Sequence, residues 1–521
     1  MVNQTSPVAA RLSDARFKPS WLIAIACLAT ILVLKLAVAA TLNLRSDEAY
    51  VWVWSQEAAL SFLDHPPMIA YFARLGTAVF GQNLLGVRLP GFVGLALAEL
   101  LLADIVRRRT GSLGTAFAVI LAMEATVYFG VTGAILEPSL PMILFISLMF
   151  WGLCRLEETD DGRWWMLVGV AGGLALLSKY IALLFVPAVV VFIVLPRHNR
   201  KWLATIWPWL AVLLALAVFS PVLWWNSQHD WASFRFQGVR VTGTRGFDLS
   251  RLLSFASISV VAIGPLLAPL AALGAIVAGW RAFRRGDGTI LALASGFLVV
   301  LAYLTVRSLT LTINTTWPVA MWPFGIAAAA TVLAAPDVVR TSRWLKGAAV
   351  AAVLTSLPVL ALFDYHHVFN RASQGGRLDP VGRDDGYDHL AGEVLAEARA
   401  IGAQWIATSD RRTAAQLRWF LGKDLPVVQL NERSRYIDFA VPNVAGKTGL
   451  YVHIKGQRVA AIDAVAESHL SPLGEAERVW RNKAFQTYEI ERIDNFAPEL
   501  DPPPGGPLYA WPDLVSAASG N

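Results

Sequence analysis

The segment Asn43–Pro67, NLRSDEAYVWVWSQEAALSFLDHPP, gathers many of the side chains in this chain that could do chemistry. Asp47 and Glu48 open it, Glu57 follows, and Asp64 and His65 stand against Pro66 and Pro67. Ionised carboxylates take protons from hydroxyl groups or hold cations, and imidazole relays protons. Asp47 and Glu48 are helix neighbours pointing about 100° apart, too far to share one proton or ligand. The spacing predicts that one faces a cavity while the other caps or orients the helix start. Two solvated helix-end charges are the competing reading. Tyr50, Trp52 and Trp54 add an aromatic face of the kind found at membrane surfaces. Asp64 and His65 either line a substrate site or serve as N-cap and turn residue before the prolines.

Other candidates stand farther along. Glu137-Pro138 is an acid in an otherwise uncharged stretch, costly unless it faces water, a cation or a partner. Asp47 and Glu137 could converge on an acceptor hydroxyl or a divalent cation, although no ligand spacing demands a metal. Lys179, in LLSKY, either snorkels or, with Arg235, Arg240 and Arg245, clamps a phosphate that leaves with extra negative charge. The loop WWNSQHDWASFRFQGVRVTGTRGFDLSR supplies Trp225, Asn226, His229 and Gln237. Its aromatic rings suit a sugar-facing surface or an interfacial belt. Thr315-Thr316-Trp317-Pro318 is a further candidate for the same cavity.

These residues need elements to position them, and composition says what kind. The 521-residue chain is 55% hydrophobic and only 16% charged, with mean hydropathy +0.50. Soluble domains run nearer a quarter charged, so most of this chain is solvated by lipid. Apolar runs near 20–42, 86–106, 112–130, 136–155, 164–180, 181–196, 203–225, 252–279, 289–306, 317–335 and 346–363 predict about eleven transmembrane helices. Continuous rather than alternating hydrophobicity excludes a membrane β-barrel. Arg11, Arg16 and Lys18 precede a run without a small-residue cleavage pattern, predicting an uncleaved first span.

Cations set the orientation. Arg107–Arg109, Arg155, Arg163, Arg197, Arg200, Lys201, Arg281, Arg284, Arg285, Arg340, Arg343 and Lys346 fall in alternate loops, which predicts a cytoplasmic N-terminus. Segment 43–85 and the tail then lie outside. The net charge of +6 and pI near 9.3 are read as topogenic, and no basic soluble module predicts nucleic-acid binding. Cys27 and Cys154 lie within apolar runs and predict neither a disulfide framework nor a structural zinc site.

Three regions follow: a cytoplasmic segment 1–19, a membrane domain 20–364 with its catalytic loop at 43–85, and a small soluble α/β domain, 365–521. In the last, DHLAGEVLAEARA and Thr413–Leu421 predict helices, and QWIATSD, VVQL, GLYVHIK and FQTYEIERI predict strands. Pro502–Gly506 predicts a loosely docked end.

The series RSDEAYVWVWSQ, FLDHPPMIAYFARLGTAVFG, GVRLPGF, LLSKY and PVLWWNSQHDWASFRFQ resembles the bacterial branch of the protein-O-mannosyltransferase and aminoarabinose-transferase superfamily. These are GT-C glycosyltransferases, similar to glycosyltransferase family 39. The resemblance runs from about residue 20 to 365. It implies a polytopic helical membrane domain, with catalytic residues on the periplasmic or lumenal side and a polyprenyl-phosphate-linked sugar as donor. By position it implies Asp47 as the catalytic carboxylate, with Glu137 as a further candidate; Glu48 is a candidate from its place beside Asp47. Lys179, Arg235, Arg240 and Arg245 would meet the donor phosphate. The residue types themselves put forward Tyr50, Asp64, His65, Trp225, Asn226, His229 and Gln237 as candidates to meet the substrates.

The expected protein is an inner-membrane enzyme transferring the sugar, with inversion, to lipid A, lipopolysaccharide core or another envelope acceptor. Protein O-mannosylation is the alternative acceptor chemistry. A lipid or glycolipid transporter is the rival from another class; it predicts charges buried within spans, where the sequence places most polar residues in loops.

Overall fold

The computed structural model describes residues 19–130, 132–243, 246–314, 316–335, 347–358, 384–430, 433–439, 442–457, 470–480, 483–494 and 496. Arg11, Arg16, Lys18, Arg245, Thr315, Arg340, Arg343, Lys346 and the Pro502–Gly506 stretch lie outside the described residues, as does the side chain of Arg240.

Where apolar runs are long the chain is helical, because buried or lipid-facing backbone must satisfy its own hydrogen bonds. The helices are α1 (Pro19–Thr41), α2 (Ser46–Ser55), α3 (Met68–Phe80), α4 (Leu84–Thr110), α5 (Leu113–Glu124), α6 (Val127–Gly130), α7 (Ser139–Thr159) and α8 (Trp164–Ser178). They continue as α9 (Val186–Val194), α10 (Trp207–Gln228), α11 (Ala232–Thr242), α12 (Leu249–Ile263), α13 (Leu267–Arg285), α14 (Gly288–Ser308), α15 (Trp322–Leu333) and α16 (Gly347–Pro358). Four of these, α4, α7, α10 and α14, are each long and apolar enough to cross a bilayer. Three pairs of neighbouring helices pass the same test together but are bent, by 73°, 105° and 99°. Leu213, Leu216, Leu273 and Trp280 are exposed on these helices, as a lipid-facing belt requires.

The run expected as one span over 252–279 is two helices, α12 and α13, meeting at 99°. Gly264 and Pro265 explain the break. Gly264 has φ +118°, where a side chain is strained, and a Cβ there would lie 2.1 Å from Ser356 Oγ. Pro265 lacks the N–H a continuous helix needs.

The helices also hold buried charge that the loop-centred reading underestimates. Lys35 Nζ on α1 lies 2.6 and 2.9 Å from the carboxylate oxygens of Glu124 on α5, and Glu99 on α4 is buried beside them. Each of these residues sits alone in an apolar run, so its partner is invisible locally.

The C-terminal part forms a five-stranded sheet with order β2-β1-β3-β5-β4. Its elements are α17 (Tyr387–Ala400), β1 (Trp405–Thr408), α18 (Arg411–Leu421), β2 (Val427–Gln429), β3 (Gly449–Ile454), β4 (Leu470–Trp480) and β5 (Lys483–Ile493). β1 pairs parallel with β2 and β3, while β5 runs antiparallel to both β3 and β4. The edge strand β4 is the one strand sequence patterning misses. Most of its residues are exposed, so its sequence LSPLGEAERVW lacks the alternation that marks a half-buried strand.

Helix α18 docks the sheet on the membrane part. Gln416 Nε2 donates to Leu44 O at 2.7 Å, and the Trp52 and Trp419 rings meet edge-on at 4.9 Å. Ala415 and Tyr436 join Leu44, Tyr50, Val53 and Trp54 in one buried cluster.

The turn from α1 into α2 depends on one buried ion pair. Arg88 donates from Nε to Glu48 Oε1 at 2.8 Å and from Nη2 to Glu48 Oε2 at 2.7 Å. The same guanidinium reaches the carbonyls of Ala39, Leu42 and Asn43 at 3.0, 2.6 and 3.0 Å, capping the orphaned end of α1. Glu48 in turn accepts from the backbone N–H of Arg45 at 3.0 Å and of Leu136 at 2.9 Å. Both partners are about 1% exposed. Removing one side of such a pair leaves a buried charge and costs about 3–5 kcal/mol. Arg88→Ala and Glu48→Ala are each expected to lower thermal stability in detergent by that order. Variants with wild-type melting curves would remove this pair from its structural role.

Candidate active site

Segment 43–67 brings three acids to the same end of the bundle in three different states. Asp47 occupies the first turn of α2, where the helix dipole favours an anion, and its side chain is 87% exposed. Its cationic neighbour is Arg411, at 3.7 Å, from the first residue of α18. Glu48, expected among the catalytic acids, is instead committed to Arg88, Arg45 N–H and Leu136 N–H. Both its oxygens are doubly occupied and the side chain is buried.

Asp64 is the third state, buried and paired. It accepts from Tyr50 Oη at 2.9 Å, forms a close ion pair with Arg435, and lies 3.8 Å from Arg411. Burial alone would raise its pKa, but Arg435, Arg411 and the Arg435 hydrogen bond outweigh it and hold the carboxyl well below the usual range. Burial, with the Asp64 charge beside it, pushes the Tyr50 phenol up, so it stays a donor. Gln237 bonds the Asp64 carbonyl, and His65 packs edge-on against Trp54 at 6.1 Å. These contacts give Asp64 and Tyr50 a latch between segment 43–67 and the sheet, an alternative to the substrate role expected for them.

Glu137 is tied to Lys179. Lys179 Nζ lies 3.1 Å from Glu137 Oε1, 2.9 Å from Ser139 Oγ and 3.5 Å from Thr316 Oγ1. Glu137 Oε2 also accepts from Tyr128 Oη and Ser139 N–H, both at 2.9 Å. The geometry is local in origin: α8 ends at Ser178, and Lys179 is extended (φ −163°, ψ 133°) before a 3₁₀ turn, which aims its side chain at the start of α7. Glu137 neighbours Leu136, whose N–H Glu48 holds, so one buried carboxylate joins the segments carrying Asp47 and Glu137. Among the described residues no cluster of three His, Cys, Asp or Glu side chains stands at metal-binding spacing.

The α10–α11 turn is built around Asn226. Its carbonyl accepts from His229 and Trp231 N–H at 3.1 and 2.8 Å, and its side chain bonds Val222 O and Phe234 N–H. This assigns buried Asn226 to the turn itself rather than to an open sugar surface. Trp225 stacks on His229 at 4.2 Å and donates to Asp438 at 2.7 Å. With Glu57, Leu60, Trp224 and Gln228 these side chains line an open cleft of about 450 Å³. Arg235 is exposed on α11.

Sequence reasoning missed the residues contributed by the sheet: Arg411, Arg435, Asp438 and Asp384. Asp384 accepts from Ser46 Oγ at 2.5 Å and lies 3.5 Å from Arg45. One signal was available for Arg411. It follows a parallel strand directly, at the carboxyl end where open α/β sheets place ligands.

Because the Asp64 pKa is lower folded than unfolded, its stabilising effect is full above about pH 4. It is lost only as the pH falls through the lower folded value. The sheet is therefore expected to stay docked through mildly acidic pH and to loosen only below the ordinary carboxylate range. Asp64→Asn should remove that acid transition and destabilise at neutral pH. Tryptophan fluorescence against pH checks this, and an unaltered acid transition in Asp64→Asn would contradict the assignment.

Comparison with known proteins agrees with this architecture. The family model described as dolichyl-phosphate-mannose-protein mannosyltransferase matches residues 64–225. The chain is 28% identical over 390 residues to a lipid A galacturonosyltransferase of Rhizobium johnstonii, covering 72% of this chain and 77% of that one. It is 30% identical over 177 residues to the undecaprenyl phosphate-α-4-amino-4-deoxy-L-arabinose arabinosyl transferase of Pseudomonas paraeruginosa, 33% of this chain and 32% of the other. The fold superposes on ArnT of Cupriavidus metallidurans bound to undecaprenyl phosphate with TM-score 0.60 at 16% identity, covering 93% and 99% of the two chains. The archaeal oligosaccharyltransferase AglB of Archaeoglobus fulgidus shares the fold more distantly, with TM-score 0.51 at 10% identity over 83% and 69%. A multi-pass helical bundle, a capping sheet and these likenesses agree: the chain has the fold of GT-C membrane glycosyltransferases and is similar in sequence to members of that superfamily.

Proposed function

We propose that this protein transfers a sugar from a polyprenyl-phosphate donor to lipid A, lipopolysaccharide core or another envelope glycolipid at the periplasmic face of the inner membrane. The observation that carries the reading is Asp47, an exposed carboxylate in the first turn of α2, next to the buried Arg88–Glu48 pair. The names of the relatives support the substrate classes, since one acts on lipid A and another uses an undecaprenyl-phosphate sugar.

The distribution of charge supports this orientation. Arg107–Arg109 close α4 at the end remote from α2, where Arg109 bonds Glu157 and Thr289. Arg284 and Arg285 close α13. Such cation-rich ends favour the cytoplasm, which supports a periplasmic position for Asp47 and the sheet.

In the proposed reaction the acceptor hydroxyl attacks the anomeric carbon from the face opposite the phosphate. Asp47 takes its proton as the new C–O bond forms. The bond from the anomeric carbon to the phosphate oxygen breaks, its electron pair leaves with the lipid phosphate, and the configuration inverts. If the attacking group is a phosphate, no base is needed and Asp47 orients it. Lys179 is committed to Glu137, Ser139 and Thr316, so a donor phosphate would reach its ammonium by exchange with one of them. Asp47 and Glu137 as joint holders of a divalent cation would likewise require Glu137 to release Lys179.

Asp47→Asn is expected to fold normally and lose about 10²–10⁴-fold in transfer rate. Full activity in a reconstituted assay would remove the assignment. Glu137→Gln and Lys179→Met are expected to be non-additive, the double variant resembling the worse single one. Additive losses would mean that the pair does not act as a unit. Mass spectrometry of envelope lipids from a deletion strain tests the reaction class: a missing sugar on a lipid supports it, and a missing sugar on protein alone points to O-mannosylation.

A further inference from the structure

The sheet domain does more than cap the bundle: it carries a cation into the site. Arg411 lies 3.7 Å from Asp47, 3.8 Å from Asp64 and 5.2 Å from the centre of the Tyr50 ring. Both ion-pair distances are too long for hydrogen bonds. Asp64 already has a close partner in Arg435 and a donor in Tyr50. Arg411 thus leans on two carboxylates without bonding either, and its side chain remains 30% exposed.

Its backbone is fixed. Asp410 caps α18 by accepting from Thr413 N–H at 2.9 Å, and α18 is pinned to segment 43–67 through Gln416 and Trp419. The guanidinium lies over Tyr50, which limits its rotation. A planar cation with uncommitted donors, held at a helix start and at the carboxyl end of the parallel strand β1, is preorganised to grip a phosphate through two parallel N–H···O bonds. The cation expected from sequence for that task, Lys179, has its ammonium occupied.

We infer that Arg411 is a phosphate-binding residue of the site, supplied by the sheet domain, that holds a substrate phosphate within reach of Asp47. The inference rests on the proposed transfer reaction. The phosphate is either that of the polyprenyl donor or one on the acceptor glycolipid. Binding would replace the long contact to Asp47, leaving that carboxylate free for the acceptor while Arg435 keeps Asp64 neutralised.

The test uses the full-length protein in nanodiscs. Binding of undecaprenyl phosphate alone is measured by tryptophan fluorescence. Transfer kinetics are measured with phosphorylated and dephosphorylated lipid A as acceptors. Arg411→Ala is expected to raise one constant roughly tenfold or more, the loss typical of a charge-assisted pair. A donor phosphate predicts weaker undecaprenyl phosphate binding and a higher donor KM. An acceptor phosphate predicts a higher KM for phosphorylated lipid A only. Arg411→Lys keeps the charge beside Asp64 and Asp47, and so the docking, but loses the fork; it should show a smaller rise in the same constant. Wild-type values for both binding and KM in both variants would overturn the inference. So would a fall in kcat with a shifted pH profile and unchanged KM, which means that Arg411 only positions Asp47. If wild-type protein binds undecaprenyl phosphate but transfers no sugar to lipid A, the transfer reading fails while the binding arm still judges Arg411.

Discussion

A single guanidinium–carboxylate pair decides the geometry of everything on the sheet-bearing end of this molecule. A membrane helix that stops leaves its last carbonyls without donors, and a helix that starts leaves its first N–H groups without acceptors. Where α1 gives way to α2 the chain meets both deficits within a few residues. Arg88, from the start of α4, answers the first with hydrogen bonds to Ala39, Leu42 and Asn43. Glu48 answers the second at Arg45, and the two answer each other. With the bend so fixed, Asp47 stands in the first turn of α2 and points into solvent.

The same carboxylate extends the frame to Leu136, so the Glu137–Lys179 pair inherits its position from Glu48. The remaining charges are balanced between distant parts of the chain. Asp64 and Asp47 come from the loop after α1, and Arg435 and Arg411 from the sheet more than 340 residues later. The site is therefore completed only when the sheet is docked. Trp225 and His229 meet Asp438 in a second seam of the same kind.

Much of this was legible in the sequence, for physical reasons that differ by element. Helices follow from apolar run length, and they begin and end within a few residues of where hydropathy puts them. The break at Gly264-Pro265 was readable from the dipeptide, but the hydropathy of the flanking residues masks it. Asp47, Glu137 and Lys179 stood out because each is a lone charge in an apolar setting. The division of labour between Asp47 and Glu48 could be stated as an alternative but not assigned, since it depends on Arg88, 40 residues away. Arg435 and Asp438 carry no local pattern at all, Arg411 has only its place just after a strand, and β4 is hidden because an exposed edge strand has no apolar face to display.

The account stands on Asp47 being open to the periplasm in the folded enzyme. The most direct measurement replaces Cys27 and Cys154, introduces Asp47→Cys, and treats intact cells with a membrane-impermeant maleimide. Labelling before lysis is expected, since the side chain at this position is exposed on the side opposite the cation-rich helix ends. Labelling only after the membrane is broken would contradict both the orientation and the site.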